Sequence, residues 1–415
     1  MRYLLFFIVF FALPHASWIP VKLGVEPENI PLGLVNIVLL LATLLWLLGR
    51  IEGGKIENPF KIYSFFTVLV ILWVGVAVIT GYNEDIRLTL TSAKGEISLL
   101  LLYFVPLAII KNEKQFIIFF AIALTVHAVI GLEVLRSGVL DGVNFNDAKR
   151  GSGPFAQDMW GADIAGSFLA QFMMFFLAIL VTSKMKSLYR VAAAIGLMIL
   201  FGGLMATYAR GAMLACVGGA VLLFIARGLH PKYFIVPLIF LVLALPYLPE
   251  SVQNRFNKIT NEYGDFDQST QGRFYYYSNA LELIMAHPLG VGTGQVRGAM
   301  EQKTGKFVDP HNGYLYTAVE YGVAGLAIFL LLQWRLFTFA RKVYQNIEYP
   351  LIYRVYSLGM IGMLGVFVLC NLFYANFYKE LVLGTITIHF GMLAYVVGKI
   401  PEKMNISGKS CHPPN

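Results

Sequence analysis

The chain has 415 residues, of which 57% are hydrophobic and only 13% are charged, and its mean hydropathy is +0.66. Because so few charged residues cannot cover the surface of a soluble domain, this composition excludes a water-soluble globular protein. It is typical of a polytopic membrane protein. The three cysteines, Cys216, Cys370 and Cys411, lie in two apolar runs and the tail, and they indicate neither a disulfide framework nor a cysteine metal site.

Apolar runs long enough to span a membrane recur along almost the whole chain. A spanning helix needs roughly 20 apolar residues, because about 30 Å of hydrocarbon is crossed at about 1.5 Å per residue. The runs are so close together near 110–115 and 208–211 that tight hairpins are predicted there. The sequence therefore predicts an all-α polytopic membrane protein with about twelve transmembrane helices, in which residues 1–398 form a single transmembrane domain. The predicted spans are 3–19, 30–49, 61–80, 96–110, 115–135, 161–182, 190–208, 211–226, 233–247, 312–334, 352–373 and 380–398.

The first apolar run has two interpretations. It follows Arg2, has an apolar core from Tyr3 to Leu13, and is followed by small residues at Ala16 and Ser17. These features are also those of a cleaved signal peptide. The orientation of the downstream helices is the same under both interpretations.

The distribution of charge predicts the orientation. With the amino terminus inside, the cytoplasmic side collects 18 of the 32 basic residues and five acidic residues, and the opposite side has 14 basic and 19 acidic residues. Lysine and arginine concentrate in cytoplasmic loops. The long polar segment at 248–311 is therefore predicted to be a periplasmic loop, and residues 399–415 a cytoplasmic tail. The basic pI of 9.2 then reflects topology, and no nucleic-acid partner is predicted.

Chemistry in water is expected in the long loop and at the external helix ends, where Arg150, Arg210 and Arg273 lie. Arg210 stands in MATYARGAML, where the seventh span ends and the eighth begins at once, so its guanidinium is predicted at the outer membrane face. A topology-setting arginine is the alternative, but such residues belong on the inside. Arg273 begins a run whose apolar residues recur at helical spacing, which predicts a helix lying on the membrane surface. An interfacial cation is the alternative for Arg273.

The loop contains a glycine-rich turn, His287 to Gly294, with the sequence HPLGVGTG. Its backbone could approach a phosphate, but no strand precedes it and no Lys-Ser/Thr pair follows it, as a nucleotide loop requires. A tight re-entrant turn is therefore predicted.

His311 lies where the chain enters the tenth span. Asp309 and Pro310 end the loop and the following residues read as helix, which predicts His311 in the first helical turn. The helix dipole there disfavours the imidazolium, whereas the charge of Asp309 favours it. A structural histidine is the alternative to a proton-accepting one. Glu320, nine residues further on, is predicted to face away from His311.

These external residues include two arginines and a histidine but no matched pair of carboxylates. A glycosidase needs such a pair to protonate a poor leaving group. A transferase with a diphosphate leaving group needs cations on the developing phosphate charge and a base for the attacking hydroxyl. Guanidinium groups match phosphate oxygens. The residues therefore favour group transfer from a lipid diphosphate.

Three segments resemble the O-antigen ligase and polymerase family of bacterial surface polysaccharide assembly: TYARGAML, GRFYYYSNALELIMAHPLGVGTG and HNGYLYTAVEYGVAG. In that family an Arg-Gly pair ends a helix, an arginine precedes a Pro-Leu-Gly-Val-Gly turn, and His-Asn-x-x-Leu is followed by Glu-x-Gly. The resemblance implies that His311 is the catalytic base and that Arg210 and Arg273 bind the diphosphate. Where the family often has a serine before the first arginine, this chain has Tyr208 and Ala209.

A weaker likeness lies upstream. The segment AKRGSGPFAQDMWGADIAG resembles the family's Arg-x-x-Gly-x-Phe segment, but Gln157 and Asp158 stand where asparagine is usual. The resemblance makes Arg150 a secondary candidate for substrate binding.

The resemblance implies an inverting, metal-independent glycosyltransferase of the ligase branch that uses no cofactor. It would transfer a glycan from undecaprenyl diphosphate to a sugar hydroxyl of lipid A core, among membrane lipids at the outer face of the bacterial inner membrane. The ligase is favoured over the repeat-unit polymerase because the histidine ends one large loop near the tenth span. Protein O-oligosaccharyltransferases share the motifs but usually carry extra carboxy-terminal mass.

A polysaccharide flippase or transporter is the alternative from a different class. Transport across a membrane predicts ionisable residues deep within the spans. The candidates here are few: His127, Glu133, Glu320 and His389.

Overall fold

The computed structural model describes residues 2–15, 34–51, 58–82, 86–140, 150–155, 161–229, 268–374 and 380–399. Every regular element in these ranges is helical, as the sequence predicts. A 3₁₀ turn at Gly153–Phe155 precedes α7. The helices are α1 Arg2–His15, α2 Leu34–Ile51, α3 Lys61–Thr80, α4 Ile86–Leu101, α5 Phe104–Ile109, α6 Glu113–Leu140, α7 Gly161–Val181, α8 Ser187–Thr207, α9 Arg210–Ala226, α10 Gln268–Ala286, α11 Val296–Thr304, α12 Gly313–Gln345, α13 Leu351–Phe373 and α14 Glu380–Val397.

The length and composition of these helices make the chain a multi-pass membrane protein. Within the described ranges, seven stretches are long and apolar enough to cross a membrane, and α1, α9 and parts of α2 and α14 are shorter apolar helices. The predicted span at 233–247 lies outside the described residues, so the total of twelve spans stays a prediction. The seven stretches are Lys61–Thr80, Thr89–Ile109, Glu113–Val139, Gly161–Val181, Ser187–Thr207, Gly313–Gln345 and Leu351–Phe373.

Helices α7 and α13 form the centre of the bundle. In each, 83% of the most apolar window is buried inside the protein, and α6, α8, α9 and α12 pack around them. Small residues allow close approach: Gly359 of α13 lies against the ring of Phe175 of α7, and Gly219 of α9 lies against Gly362 of α13. Contacts of this kind are how membrane helices associate where lipid is as apolar as the side chains.

Several helix ends meet at one end of the bundle, which we call the site end. The start of α7 packs against the end of α8, since Gly166 contacts Thr207. The end of α13 meets the start of α12, where the Asn312 side-chain amide donates to the carbonyl of Leu372 at 3.2 Å. Asn312 also caps α12 by accepting the N–H groups of Tyr314 and Leu315. Short connections thus place residues from distant parts of the sequence together.

The predicted re-entrant turn is confirmed, and it enters the bundle beside a break in α12. Gly322 has φ +71° and ψ −177°, so α12 is interrupted there. The turn supplies the missing partners: the N–H groups of Val291 and Gly292 donate to carbonyls of α12 at 2.8 and 3.0 Å, and Val323 donates to the carbonyl of Pro288 at 3.1 Å. Irregular backbone at this depth is tolerated because protein groups satisfy it.

The turn reaches far down α3, so the predicted external loop is not wholly outside the bundle. The Thr293 hydroxyl donates to the carbonyl of Val70 at 2.9 Å, and Val70 is near the middle of α3. The indole N–H of Trp73 donates to the carbonyl of Leu289 at 2.7 Å. Helix α10, predicted to lie on the membrane surface, therefore leads from the site end into a turn between the helices.

Gly290→Ala tests the importance of this turn. Gly290 has φ +89°, and a Cβ there would collide with the Glu320 carbonyl and the Gly322 nitrogen. We expect the strain and the clash to destabilise the protein by about 2–4 kcal/mol. The measurement is the thermal unfolding midpoint in detergent.

Gly75→Ala is the matched control, because a Cβ at Gly75 in α3 meets nothing within 4 Å. It should leave the midpoint unchanged or raise it slightly, since alanine is the better helix former. Equal midpoints for the two variants would contradict the role given to the turn.

Candidate functional site

Arg210 is placed at the site end by the tight reversal between α8 and α9. Tyr208 has φ +54°, in the left-handed region, and the Ala209 N–H donates to the Thr207 hydroxyl at 3.2 Å. The predicted hairpin is thus confirmed, and Arg210 is the first residue of α9. A cation there opposes the helix dipole, at a cost of about 0.3–1 kcal/mol, whereas an anion would be favoured by both the dipole and the guanidinium.

Arg273 approaches the same region from α10. Its guanidinium carbon lies 5.6 Å from the centre of the Tyr374 ring, a cation–π distance. A Cβ on Gly211, the residue after Arg210, would lie 3.0 Å from Tyr374 Cε2. The first turn of α9, which begins with Arg210, and the guanidinium of Arg273 therefore both adjoin Tyr374.

Arg150 lies in a buried ion pair. Its Nη1 and Nη2 contact the two carboxylate oxygens of Asp163, in the first turn of α7, and its Nε donates to the carbonyl of Thr207 at 2.6 Å. Asp163 is 6% exposed. These contacts join the start of α7 to the end of α8. The guanidinium of Arg150 therefore supports the backbone that leads into Arg210. Its substrate-binding role stays a prediction.

Sequence reasoning missed Asp163, although an acid in the first turn of a highly apolar helix was a signal that could have found it. A buried carboxylate in such a helix requires a partner, because an uncompensated buried charge is strongly destabilising.

The prediction that His311 lies in the first turn of α12 is wrong. His311 lies just before the helix, because the side chain of Asn312 caps α12 and Gly313 is its first residue. His311 has φ +51°, a left-handed conformation that is uncommon for residues other than glycine. Its backbone N–H donates to Asp309 Oδ1 at 2.9 Å, and its Nδ1 lies 3.4 Å from the same oxygen. Asp309 thereby constrains both the backbone and the ring of His311.

Further groups surround the histidine. The ring centres of Tyr276 and His311 are 5.7 Å apart. Arg297 Nη2 lies 3.9 Å from the other oxygen of Asp309. The hydroxyl of Tyr277 lies 3.5 Å from the His311 carbonyl and 3.3 Å from the Leu372 carbonyl. Helix α10 therefore adjoins Tyr374 through Arg273, and it adjoins His311 through Tyr276 and Tyr277.

Two tyrosine hydroxyls at the site end remain protonated donors. Burial raises the pKa of Tyr277, an effect that Arg273 and a hydrogen bond with Asn312 partly offset. Burial and then Asp163 raise the pKa of Tyr374, against the opposing charges of Arg273 and Arg150. Both O–H groups donate to protein acceptors, Tyr277 to backbone carbonyls and Tyr374 to Asp163.

His287 belongs to the re-entrant turn. Its Nε2 forms a short hydrogen bond with the hydroxyl of Tyr82, beyond the end of α3. Burial raises the pKa of Tyr82, so the hydroxyl is the donor. Glu320 also serves the turn, because its carboxylate accepts the Gly294 N–H. Among the residues that the structure describes, no group of three or more His, Cys, Asp or Glu side chains could hold a metal ion.

Fold and site together define a multi-pass helical membrane protein with a cationic, histidine-containing site at one end of its bundle. Residues 195–330 match the family model described as O-antigen ligase, which supports the family that the motifs predict. The matched segment includes Arg210, Arg273 and His311, and it indicates a function of the ligase or polymerase type. No curated protein matches the chain.

Proposed function

We propose that the protein is an O-antigen ligase, a glycosyltransferase that moves a glycan from undecaprenyl diphosphate to a sugar hydroxyl of lipid A core. The observation that carries this proposal is the convergence of Arg210, Arg273 and His311 at the site end, although 101 residues separate the first from the last. Their arrangement matches the needs of a transfer with an anionic leaving group.

The two arginines bind the diphosphate of the donor. Arg273 lies over Tyr374, and Arg210 begins the helix whose second residue, Gly211, packs against the same side chain. Bidentate guanidinium contacts stabilise the negative charge that develops on the diphosphate oxygen as the glycosidic bond breaks. The leaving group then needs no proton.

His311 is the general base. Asp309 faces Nδ1, and Nε2 is the nitrogen that receives the proton of the acceptor hydroxyl. The acceptor oxygen forms its bond to the anomeric carbon while the bond from that carbon to the diphosphate oxygen breaks. Direct displacement from the opposite face inverts the anomeric configuration.

The position of the site supports an active site on the periplasmic side of the inner membrane. Helix α7 ends at Val181 and α8 begins at Ser187, so the exposed Lys184 and Lys186 lie at the opposite end of the bundle from Arg210. Cytoplasmic loops carry such basic residues. The donor and acceptor, both lipid-linked, can reach an external site along the membrane plane.

The intramembrane histidines support the ligase over the flippase alternative. His127 Nε2 and His389 Nε2 are 3.1 Å apart. Both side chains are fully buried, and Phe172 packs against both rings. Such surroundings favour a packing role over a route for a large hydrophilic glycan.

Arg210→Lys and Arg273→Lys test the donor site. An ammonium does not reproduce the bidentate contact of a guanidinium with phosphate. We expect each variant to insert normally and to lose about 90% or more of its transfer activity, which corresponds to about 1.4 kcal/mol or more of transition-state stabilisation. The measurement is transfer by the purified protein from a polyprenyl-diphosphate-linked glycan.

Arg341→Lys is the control, because Arg341 is exposed near the end of α12 that lies away from the site. It should keep wild-type activity. Near wild-type transfer by either site variant would assign that arginine to packing or topology.

His311→Ala tests the base. General-base assistance contributes about 10²–10⁴ in rate, so turnover should fall by that factor while the donor still binds through the arginines. The wild-type rate should also fall at acidic pH as the imidazole protonates, and this limb should be absent from the residual activity of the variant. The measurement is kcat and donor KM between pH 5.5 and 8.5.

His287→Ala is the comparison, because that histidine serves the turn. It should change kcat much less than His311→Ala. Full turnover by His311→Ala, or a defect confined to donor affinity, would remove His311 from the role of base.

A further inference from the structure

Tyr374 contacts both arginine-bearing elements. It is the first residue after α13, and the guanidinium carbon of Arg273 lies 5.6 Å from its ring centre. Gly211, the residue after Arg210, packs closely against the same side chain, since a Cβ there would lie 3.0 Å from both Cε2 and the hydroxyl oxygen of Tyr374. The Tyr374 side chain therefore adjoins both the first turn of α9 and Arg273.

The hydroxyl of Tyr374 is held by the buried ion pair. It donates to Asp163 Oδ1 at 3.4 Å, and Asp163 is held bidentately by Arg150. Arg150 in turn binds the carbonyl of Thr207, three residues before Arg210. One chain of contacts thus runs from Arg273 through Tyr374 and the ion pair to the backbone that leads into Arg210.

We propose that Tyr374 is the positioning residue of the donor site, whose ring sets the separation of Arg210 and Arg273 to fit the two phosphates of a lipid diphosphate. This inference rests on the proposed function of the two arginines. Without the ring, Arg273 loses its cation–π contact and the first turn of α9, which begins with Arg210, loses a packing partner. A bidentate contact depends on such placement, and a displacement of about 1 Å can lower a rate about 10²-fold.

Tyr374→Ala and Tyr374→Phe separate the ring from its hydroxyl. We expect Tyr374→Ala to raise the donor KM about tenfold or more and also to lower kcat, because displaced guanidinium groups bind the diphosphate more weakly and stabilise its developing charge less. Tyr374→Phe keeps the ring and loses a single long hydrogen bond, so its donor KM should stay within about threefold of wild type. The donor is a polyprenyl-diphosphate-linked glycan, and the thermal midpoint of each variant shows that it is folded.

Tyr344→Ala is the matched control. Tyr344 lies under the guanidinium of Arg354 at 5.9 Å, at the opposite end of α12 and α13. Loss of this comparable cation–π contact should leave the donor KM unchanged. An equal rise in KM for Tyr344→Ala and Tyr374→Ala would show a general packing effect and overturn the proposal.

A double-mutant cycle with Gly211→Ala gives a readout that a purely structural role would not move. The added methyl group displaces the Tyr374 ring, so Gly211→Ala alone should raise the donor KM by about threefold or more, and in the Tyr374→Ala background it should add little. If Tyr374→Ala proves too unstable for kinetics, Tyr374→Leu replaces it. Direct titration with undecaprenyl diphosphate should then show the same coupling with Gly211→Ala. Additive effects of the two substitutions would overturn the proposal.

The failures of the two proposals are distinguishable. If Arg273→Lys binds and uses the donor normally, the proposed function of the site fails. If Arg273→Lys loses donor affinity and Tyr374→Ala does not, the arginines bind the diphosphate without the help of Tyr374, and this inference alone fails.

Discussion

Within a membrane, every backbone N–H and C=O group needs a partner inside the protein, and α12 loses such partners where Gly322 interrupts it. The backbone of the re-entrant turn replaces them, through Val291, Gly292 and Pro288. This exchange fixes the turn, and the turn connects α10 with α11. The break in α12 thereby joins the helix that follows His311 to the turn that follows α10, the helix that carries Arg273.

The charged side chains at the site end are positioned to favour a bound anion. Arg210 begins a helix, where a cation opposes the dipole, and Arg273 lies over an aromatic ring at the same end of the bundle. Asp163 neutralises Arg150 beneath them. In the proposed function, the two arginines of the motifs are the groups that bind the diphosphate of the donor.

The sequence predicted the elements whose limits are set by local composition. Helices α3, α7 and α13 match the predicted spans to within one residue at each end, since polar residues flank uniform apolar runs. Predictions failed where tertiary contacts extend or redirect a helix. Helix α4 begins at Ile86, well before the predicted start at 96, and α12 continues past 334 to Gln345 through a polar segment that lies beyond the apolar run. The course of α10 was not visible either, because the turn that follows it binds Val70, more than 200 residues away.

The motifs supplied the candidate residues of the site but not the residues that hold them in place. Arg210, Arg273 and His311 were found by residue type and position, and the structure brings them to one end of the bundle. Tyr374 and Asp163 belong to no motif, and the role of each depends on contacts with elements that are distant in sequence. Supporting residues of this kind cannot be read from a single sequence, because an apolar run says nothing about which neighbouring helix it will face.

The central claim is that the arginines at the site end hold the diphosphate of a lipid-linked donor beside His311. The most direct measurement is a cryo-electron microscopy structure of the protein in lipid nanodiscs with an undecaprenyl-diphosphate-linked glycan, using His311→Ala to prevent turnover. The account predicts density for the diphosphate between the guanidinium groups of Arg210 and Arg273, with the anomeric carbon towards position 311. A diphosphate bound elsewhere, with both arginines contacting only protein groups, would contradict it.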